Sequence, residues 1–192
     1  HSDHLRNHNK ILATPATLKF HAIRGKQRET VPLEFGEPYF IDDLKVELFP
    51  AGHILGSAMI RVERDGISFL YTGDFKTTPS WTAEPIEIPQ ADILVMESTF
   101  GSPEYVFFQT RETLADQLEE FIESCVRRDY TPVVLAYNLG KSQEAMKVLG
   151  DRGHIVRVFS KSWELAQVYK EFGVQFKYCS EWNNEELSPG EV

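Results

Sequence analysis

Four short runs in this 192-residue chain carry side chains able to act on a substrate at ordinary pH. His1-Ser2-Asp3-His4 opens the sequence. A second run reads Ala51-Gly52-His53-Ile54-Leu55-Gly56-Ser57-Ala58, a third Tyr71-Thr72-Gly73-Asp74-Phe75, and a fourth, from Leu94 to Gly101, carries Glu97 in Glu-Ser-Thr-Phe-Gly. Imidazole nitrogen and carboxylate oxygen are the donors that Zn²⁺, Mn²⁺ or Fe²⁺ accept, and glycines beside His53 and Asp74 let the backbone turn sharply enough for side chains to converge. Taken singly the runs are weak, since His-x-Asp-His also suits a polar terminus and Gly-Asp after a strand is usually a turn. Other hydrolytic chemistries lack their parts. There is no Gly-x-Ser-x-Gly elbow, and Cys125 and Cys179 stand far apart with neither a Cys-x-x-Cys spacing nor a histidine close by in sequence. Gly140-Lys141-Ser142 is not a nucleotide loop, because Leu135 occupies the first glycine of Gly-x4-Gly-Lys-Ser. It opens a helix after a strand, however, so its free N–H groups and Lys141 can hold a substrate phosphate.

The elements that must position these residues fall into two textures. Up to about Met96 the segments are short and strand-like. Ile11 to Ala13 reads as a buried strand, and Thr14-Pro15 places a capping residue before a proline at the first helical position, predicting a helix over Ala16 to Ile23. Leu44, Val46 and Leu48 alternate with Lys45 and Glu47, the period of a half-buried strand. Ala58 to Arg64 and Ile67 to Gly73 are joined by Asp65-Gly66, which readily supplies the positive φ angles of a two-residue hairpin. That turn sets Ala58 opposite Gly73, so Asp74 leaves one strand at the end where the His53 loop enters the other, and the two can share a site. Lys76 to Gln90, with Pro79, Pro85 and Pro89, reads as loop, and Asp92 to Glu97 as a buried strand. From Thr110 onward strands and helices alternate: helix Thr110 to Asp129 with a solvated acidic face, strand Val133 to Tyr137, helix Lys141 to Leu149 ended by Gly150, strand Ile155 to Phe159, and helix Ser162 to Phe172 ended by Gly173. Such alternation implies parallel strands with crossover helices. The boundary falls near Gly101 to Gln109, giving domains 1–108 and 109–192.

Composition excludes several classes. With 42% hydrophobic and 26% charged residues the chain is ordinary globular material, neither disordered nor fibrous. The longest apolar stretches, such as Ile93 to Met96 and Pro132 to Tyr137, are far shorter than the ~18 residues a membrane span needs. Two cysteines suit a reducing, cytoplasmic compartment. A net charge of −9 disfavours a polyanion-coating protein but not a nuclease, because acidic side chains can hold the cations that meet phosphate. His8, His21 and His154 read as surface, helix and loop residues, and Trp163 as packing.

Jointly and in order, the runs resemble the metallo-β-lactamase fold and its nucleic-acid-processing β-CASP branch. His1 to His4 looks like the end of that fold's His-x-His-x-Asp-His signature, Ala51 to Ala58 like its next histidine motif, and Tyr71 to Phe75 like its bridging-aspartate motif. Leu94 to Gly101 resembles the acidic motif of the β-CASP branch, and Leu135 to Glu144 the first strand-to-helix unit of the β-CASP insert. Within the branch, these last two runs look most like bacterial DNA-ligase-associated exonucleases. The resemblance implies a partial αββα sandwich followed by the start of a parallel βαβ insert, a metal-dependent DNA exonuclease, and functional association with a DNA ligase. It implies two divalent ions, zinc or alternatively manganese, with His1 and His53 serving one, Asp3 and His4 the other, and Asp74 bridging; Glu97 would orient a proton donor. The first signature histidine would precede His1 and the later motifs would follow Val192, so half an active site and an inactive fragment are expected. The alternatives are an RNA-processing nuclease, a small-molecule hydrolase of the same fold, and a non-enzymatic binding module.

Overall fold

A computed structural model describes residues 8–23, 25 and 28–192. His1, Asp3 and His4, the first run of proposed ligands, therefore lie outside the described residues. The chain divides into two compact units, His1–Ser98 and Thr99–Val192.

The first unit begins with β1 (Lys10–Ala13), α1 (Pro15–Ile23) and β2 (Glu29–Pro32), the two strands pairing in parallel. Thr14 caps α1 as its type predicts, its hydroxyl accepting the Thr17 N–H at 3.3 Å. A mixed five-stranded sheet follows, in sequential order: β3 (Tyr39–Ile41), β4 (Leu44–Pro50), β5 (Ala58–Arg64), β6 (Ile67–Tyr71) and β7 (Ile93–Val95). Its pairs are antiparallel except β6 with β7. The β5–β6 turn is the expected one, with φ of 51° at Asp65 and 78° at Gly66, and Arg64 faces Ile67. Along β4 the buried residues Val46 and Leu48 alternate with half-buried Lys45 and Glu47. One small core gathers Ala51, Met59 and Leu70 with Phe49, Phe75, Ile86 and Ala91 against it, so the proline-rich loop serves as a cover. The expectation for Asp92 to Glu97 needs correcting. A strand forms there, at the edge of the sheet, but Ile93, Leu94 and Val95 are all exposed: the apolar run pairs with β6 without being covered.

In the second unit, α2 (Arg111–Val126) is capped by the Thr110 side chain, which accepts the Thr113 N–H at 3.1 Å. Then come α3 (Lys141–Asp151), β8 (Val156–Val158), α4 (Ser160–Glu171) and β9 (Cys179–Glu181). β8 and β9 pair in parallel across α4, the strand-helix-strand arrangement that alternation predicts. Two expectations fail. Residues 133–137 form no strand: Val133, Leu135 and Tyr137 are 61%, 92% and 83% exposed, and this stretch pairs with none of the described strands. Gly150 does not end α3 but lies inside it. A Cβ there would sit 2.1 Å from the Lys177 carbonyl oxygen, so the glycine permits close approach of two backbone segments rather than a left-handed cap.

Candidate metal site

Two loops leave the same end of the β5–β6 hairpin. In the β5–β6 register Ile60 faces Tyr71, which carries Ala58 toward Gly73, and a Cβ on Gly73 would lie 3.8 Å from the Ala58 carbonyl oxygen. His53 sits in the loop entering β5 and Asp74 in the turn leaving β6. The loops are tied backbone to backbone, the Lys76 N–H donating to the Ala51 carbonyl at 2.9 Å. Gly52, at φ +71°, passes so close to Lys76 that a Cβ would lie 2.4 Å from its carbonyl oxygen. A glycine is needed there for both reasons. Both His53 and Asp74 remain partly exposed.

Each loop is locked locally. Ser57, only 2% exposed, folds its hydroxyl back to accept the N–H groups of His53 and Ile54, both at 3.1 Å, while its own N–H donates to the Ile54 carbonyl. Ala51 N–H closes the loop onto the Ser57 carbonyl. Around Asp74, the buried Thr72 donates its hydroxyl to the Gly73 carbonyl at 2.7 Å and accepts the Glu97 N–H at 3.3 Å. The Glu97 carboxylate in turn accepts the Phe75 N–H at 3.4 Å. Glu97 thus reaches the Asp74 turn from β7. The base of β7 is pinned by Asp92, whose carboxylate accepts the Ser68 N–H and hydroxyl at 2.8 and 2.7 Å. The hydroxyl bond, then the amide bond, hold the Asp92 carboxyl below the ordinary carboxylate range.

The structure therefore joins the His53 loop and the Asp74 turn through their backbones and ties Glu97 to that turn through the Thr72 hydroxyl and its own carboxylate, with His1, Asp3 and His4 outside the described residues. Among the described residues no group of three or more His, Cys, Asp or Glu side chains forms a metal cluster. Imidazole and carboxylate on two adjoined, partly exposed loops are nonetheless a donor set suited to a divalent ion. Cysteine chemistry finds no support at Cys179, where burial pushes the thiol up to about 11.

The proposed phosphate residues lie in the second unit and are largely engaged. Gly140, at φ +88°, donates its N–H to the Gln143 side chain at 2.7 Å; Ser142 gives both its N–H and its hydroxyl to the Tyr137 carbonyl. Lys141 is 64% exposed, with its ammonium 3.8 Å from Glu144. Sequence reasoning passed over Gln143. It is fully buried and also donates to the carbonyls of Asn138 and Ser162, joining the starts of α3 and α4. A polar residue at the third position of a helix after a glycine was the available signal.

No family model matches the chain. It is 39% identical over 180 residues to a protein named "Probable DNA ligase" from Opitutus terrae, covering 92% of this chain and 18% of that one. It is 30% identical over 176 residues to the RNase aCSPSF2 of Saccharolobus solfataricus, covering 88% and 35% respectively. With the transcription termination factor FttA of Pyrococcus abyssi it shares 35% identity over 133 residues, 67% of this chain and 20% of that protein. The chain thus spans roughly a fifth to a third of the length of these relatives. Ordered motifs, a histidine loop and an aspartate turn adjoined at one sheet end and relatives of these kinds agree: the chain belongs to the β-CASP branch of the metallo-β-lactamase fold.

Proposed function

We propose that the protein is a metal-dependent phosphodiester hydrolase and, more narrowly, a DNA exonuclease. The observation that carries the reading is the tie between the His53 loop and the Asp74 turn through the 2.9 Å bond from Lys76 to Ala51. It supports a site in which His53 offers one ring nitrogen and Asp74 a carboxylate to the same ion position. His1, Asp3 and His4 would complete the donor set of a two-ion site, with zinc favoured over manganese. A divalent pair supplies a hydroxide near neutral pH and neutralises charge that builds on phosphoryl oxygens. The chain's own part is positional. Ser57 fixes the direction from which His53 enters, and Thr72 with Glu97 fixes the turn that carries Asp74, so neither loop must reorganise when a substrate phosphate arrives. Lys141 would meet a phosphate by its side chain rather than through the Gly140 and Ser142 amides, which already donate within the protein.

The sandwich architecture, the division into domains 1–108 and 109–192, and the functional association with a DNA ligase belong to this same reading. DNA is favoured by the likeness of the Glu97 and Asn138 to Glu144 runs to ligase-associated exonucleases, and by a relative named a DNA ligase. A relative named an RNase supports RNA as the second reading. Phosphate and metal contacts are blind to the sugar, so the test must vary the sugar. Full-length protein should degrade single-stranded DNA faster than the matched RNA, only with divalent metal, and Asp74→Ala should abolish hydrolysis while leaving the fold intact. Equal rates would reduce the claim to a general nuclease, strong RNA preference would favour the second reading, and a fully active Asp74→Ala protein would remove Asp74 from the mechanism.

A further inference from the structure

We propose that Glu84 is a positioning residue for His53, acting through the peptide groups of Gly56. This inference rests on the reading of His53 as a metal donor. Glu84 lies in the loop between β6 and β7, 28 residues from Gly56, and its Oε2 accepts the Gly56 N–H at 2.9 Å. The Gly56 carbonyl is gripped from the opposite direction by two hydroxyls of the α1 start, Thr14 Oγ1 at 2.7 Å and Thr17 Oγ1 at 2.9 Å. Gly56 is itself at φ +71° and leaves no room for a side chain, since a Cβ would lie 2.7 Å from the Ala16 Cβ. One glycine between His53 and β5 is thereby held from two different parts of the chain, by a charged acceptor on its N–H and a pair of donors on its C=O.

The consequence for His53 follows from loop size. Ser57, the next residue, accepts the His53 and Ile54 N–H groups. A shift of Gly56 is therefore passed to the backbone that carries the imidazole within three residues. The hydroxyls of Thr14 and Thr17 hold only the Gly56–Ser57 peptide group; the Glu84 carboxylate holds the preceding one, Leu55–Gly56, on the side that leads back to His53. A charge-assisted bond to a backbone N–H is among the stronger ones available, and groups that orient metal ligands typically change metal affinity by about 10–100-fold.

The test is metal binding by full-length protein, read by Co²⁺ titration through the visible absorption bands, together with amide hydrogen exchange at Gly56. Glu84→Ala should weaken Co²⁺ binding by about tenfold or more, shift the bands, and speed exchange at Gly56. Glu84→Gln keeps an oxygen acceptor and should restore most of the affinity and the spectrum. Wild-type affinity and bands in Glu84→Ala would overturn the proposal, as would a Gln variant as defective as the Ala variant, which would make the carboxylate a charge at the ion rather than a clamp. His53→Ala serves as the separate control. If it binds Co²⁺ as the wild type does, the reading of His53 as a donor fails, whatever the Glu84 variants do.

Discussion

Replacing Gly56 by alanine should destabilise the first unit far more than the same change at Gly66. The two glycines have similar backbones, φ +71° and +78°, but different surroundings: nothing lies within 4 Å of a Cβ built on Gly66, whereas one on Gly56 would be 2.7 Å from the Ala16 Cβ, 2.8 Å from the Thr14 hydroxyl and 3.2 Å from the Thr17 N–H. Both substitutions place alanine in the left-handed region at about 1–2 kcal/mol. Gly56→Ala alone adds overpacking against a capped helix start, which is worth about 1–3 kcal/mol. At roughly 4–8 °C per kcal/mol for a unit of this size, Gly56→Ala should melt some 5–20 °C below Gly66→Ala. Thermal unfolding followed by circular dichroism measures the gap. The double variant Ala16→Gly/Gly56→Ala sharpens it: Ala16→Gly alone costs about 1 kcal/mol of helix propensity, yet in the double variant it should return part of the loss by removing the nearest atom. Equal melting of the two single variants, or strict additivity in the double variant, would refute the packing of α1 onto the His53 loop.

Gln143→Leu should destabilise the second unit by about 2–4 kcal/mol, seen as a lower urea midpoint, because it strands the Gly140 N–H and the carbonyls of Asn138 and Ser162. Lys141→Ala should leave folding intact, weaken DNA binding and reduce the slope of log affinity against log salt by about one, measured by fluorescence anisotropy at several salt concentrations. The Asp92 carboxyl is held below its ordinary value in the folded state, so its contribution is present above the ordinary carboxylate range and lost as pH falls through the lowered folded value. Asp92→Asn should therefore flatten the loss of stability between about pH 5 and pH 2, followed by urea unfolding across that range. An unchanged acid profile would show that the Ser68 contact is not maintained in solution.

Local chemistry made much of this legible. Asp65-Gly66 prescribes its turn, the turn prescribes the β5–β6 register, and the register alone brings the His53 and Asp74 loops to one end. Thr14 announces the start of α1 because its hydroxyl does the same work in any context. What sequence could not supply was the neighbour. Residues 133–137 have the β-branched, apolar character of a strand, but a strand exists only by pairing, and none of the described strands lies beside them. The exposure of Ile93 to Val95 has the same origin, since an apolar run says that burial is favourable and not that a covering layer is present. Short β2, β3 and β9 escaped notice because, unlike the equally short β1 and β7, they lack a run of consecutive aliphatic residues to mark them. At the proposed site, the residue types pointed to His53 and Asp74; Glu84 was invisible because its partner is a backbone N–H, and a main-chain partner leaves no mark in the side-chain pattern.

Gly150 bears on how this protein can be engineered. Glycine inside a helix is the usual first choice for stabilisation, since exchange for alanine commonly gains about 1 kcal/mol. Here the sign should reverse. The Lys177 carbonyl oxygen would lie 2.1 Å from the new methyl carbon, and that oxygen belongs to backbone, which cannot swing aside as a flexible side chain would. Relief would require residue 177 to retreat from α3, dragging with it β9, which begins at Cys179 and pairs with β8 from Val156. A thermostabilisation campaign guided by helix propensity alone would thus select at position 150 the substitution most apt to unzip the small parallel sheet. Compensating variants should appear in the loop before β9 rather than in α3 itself.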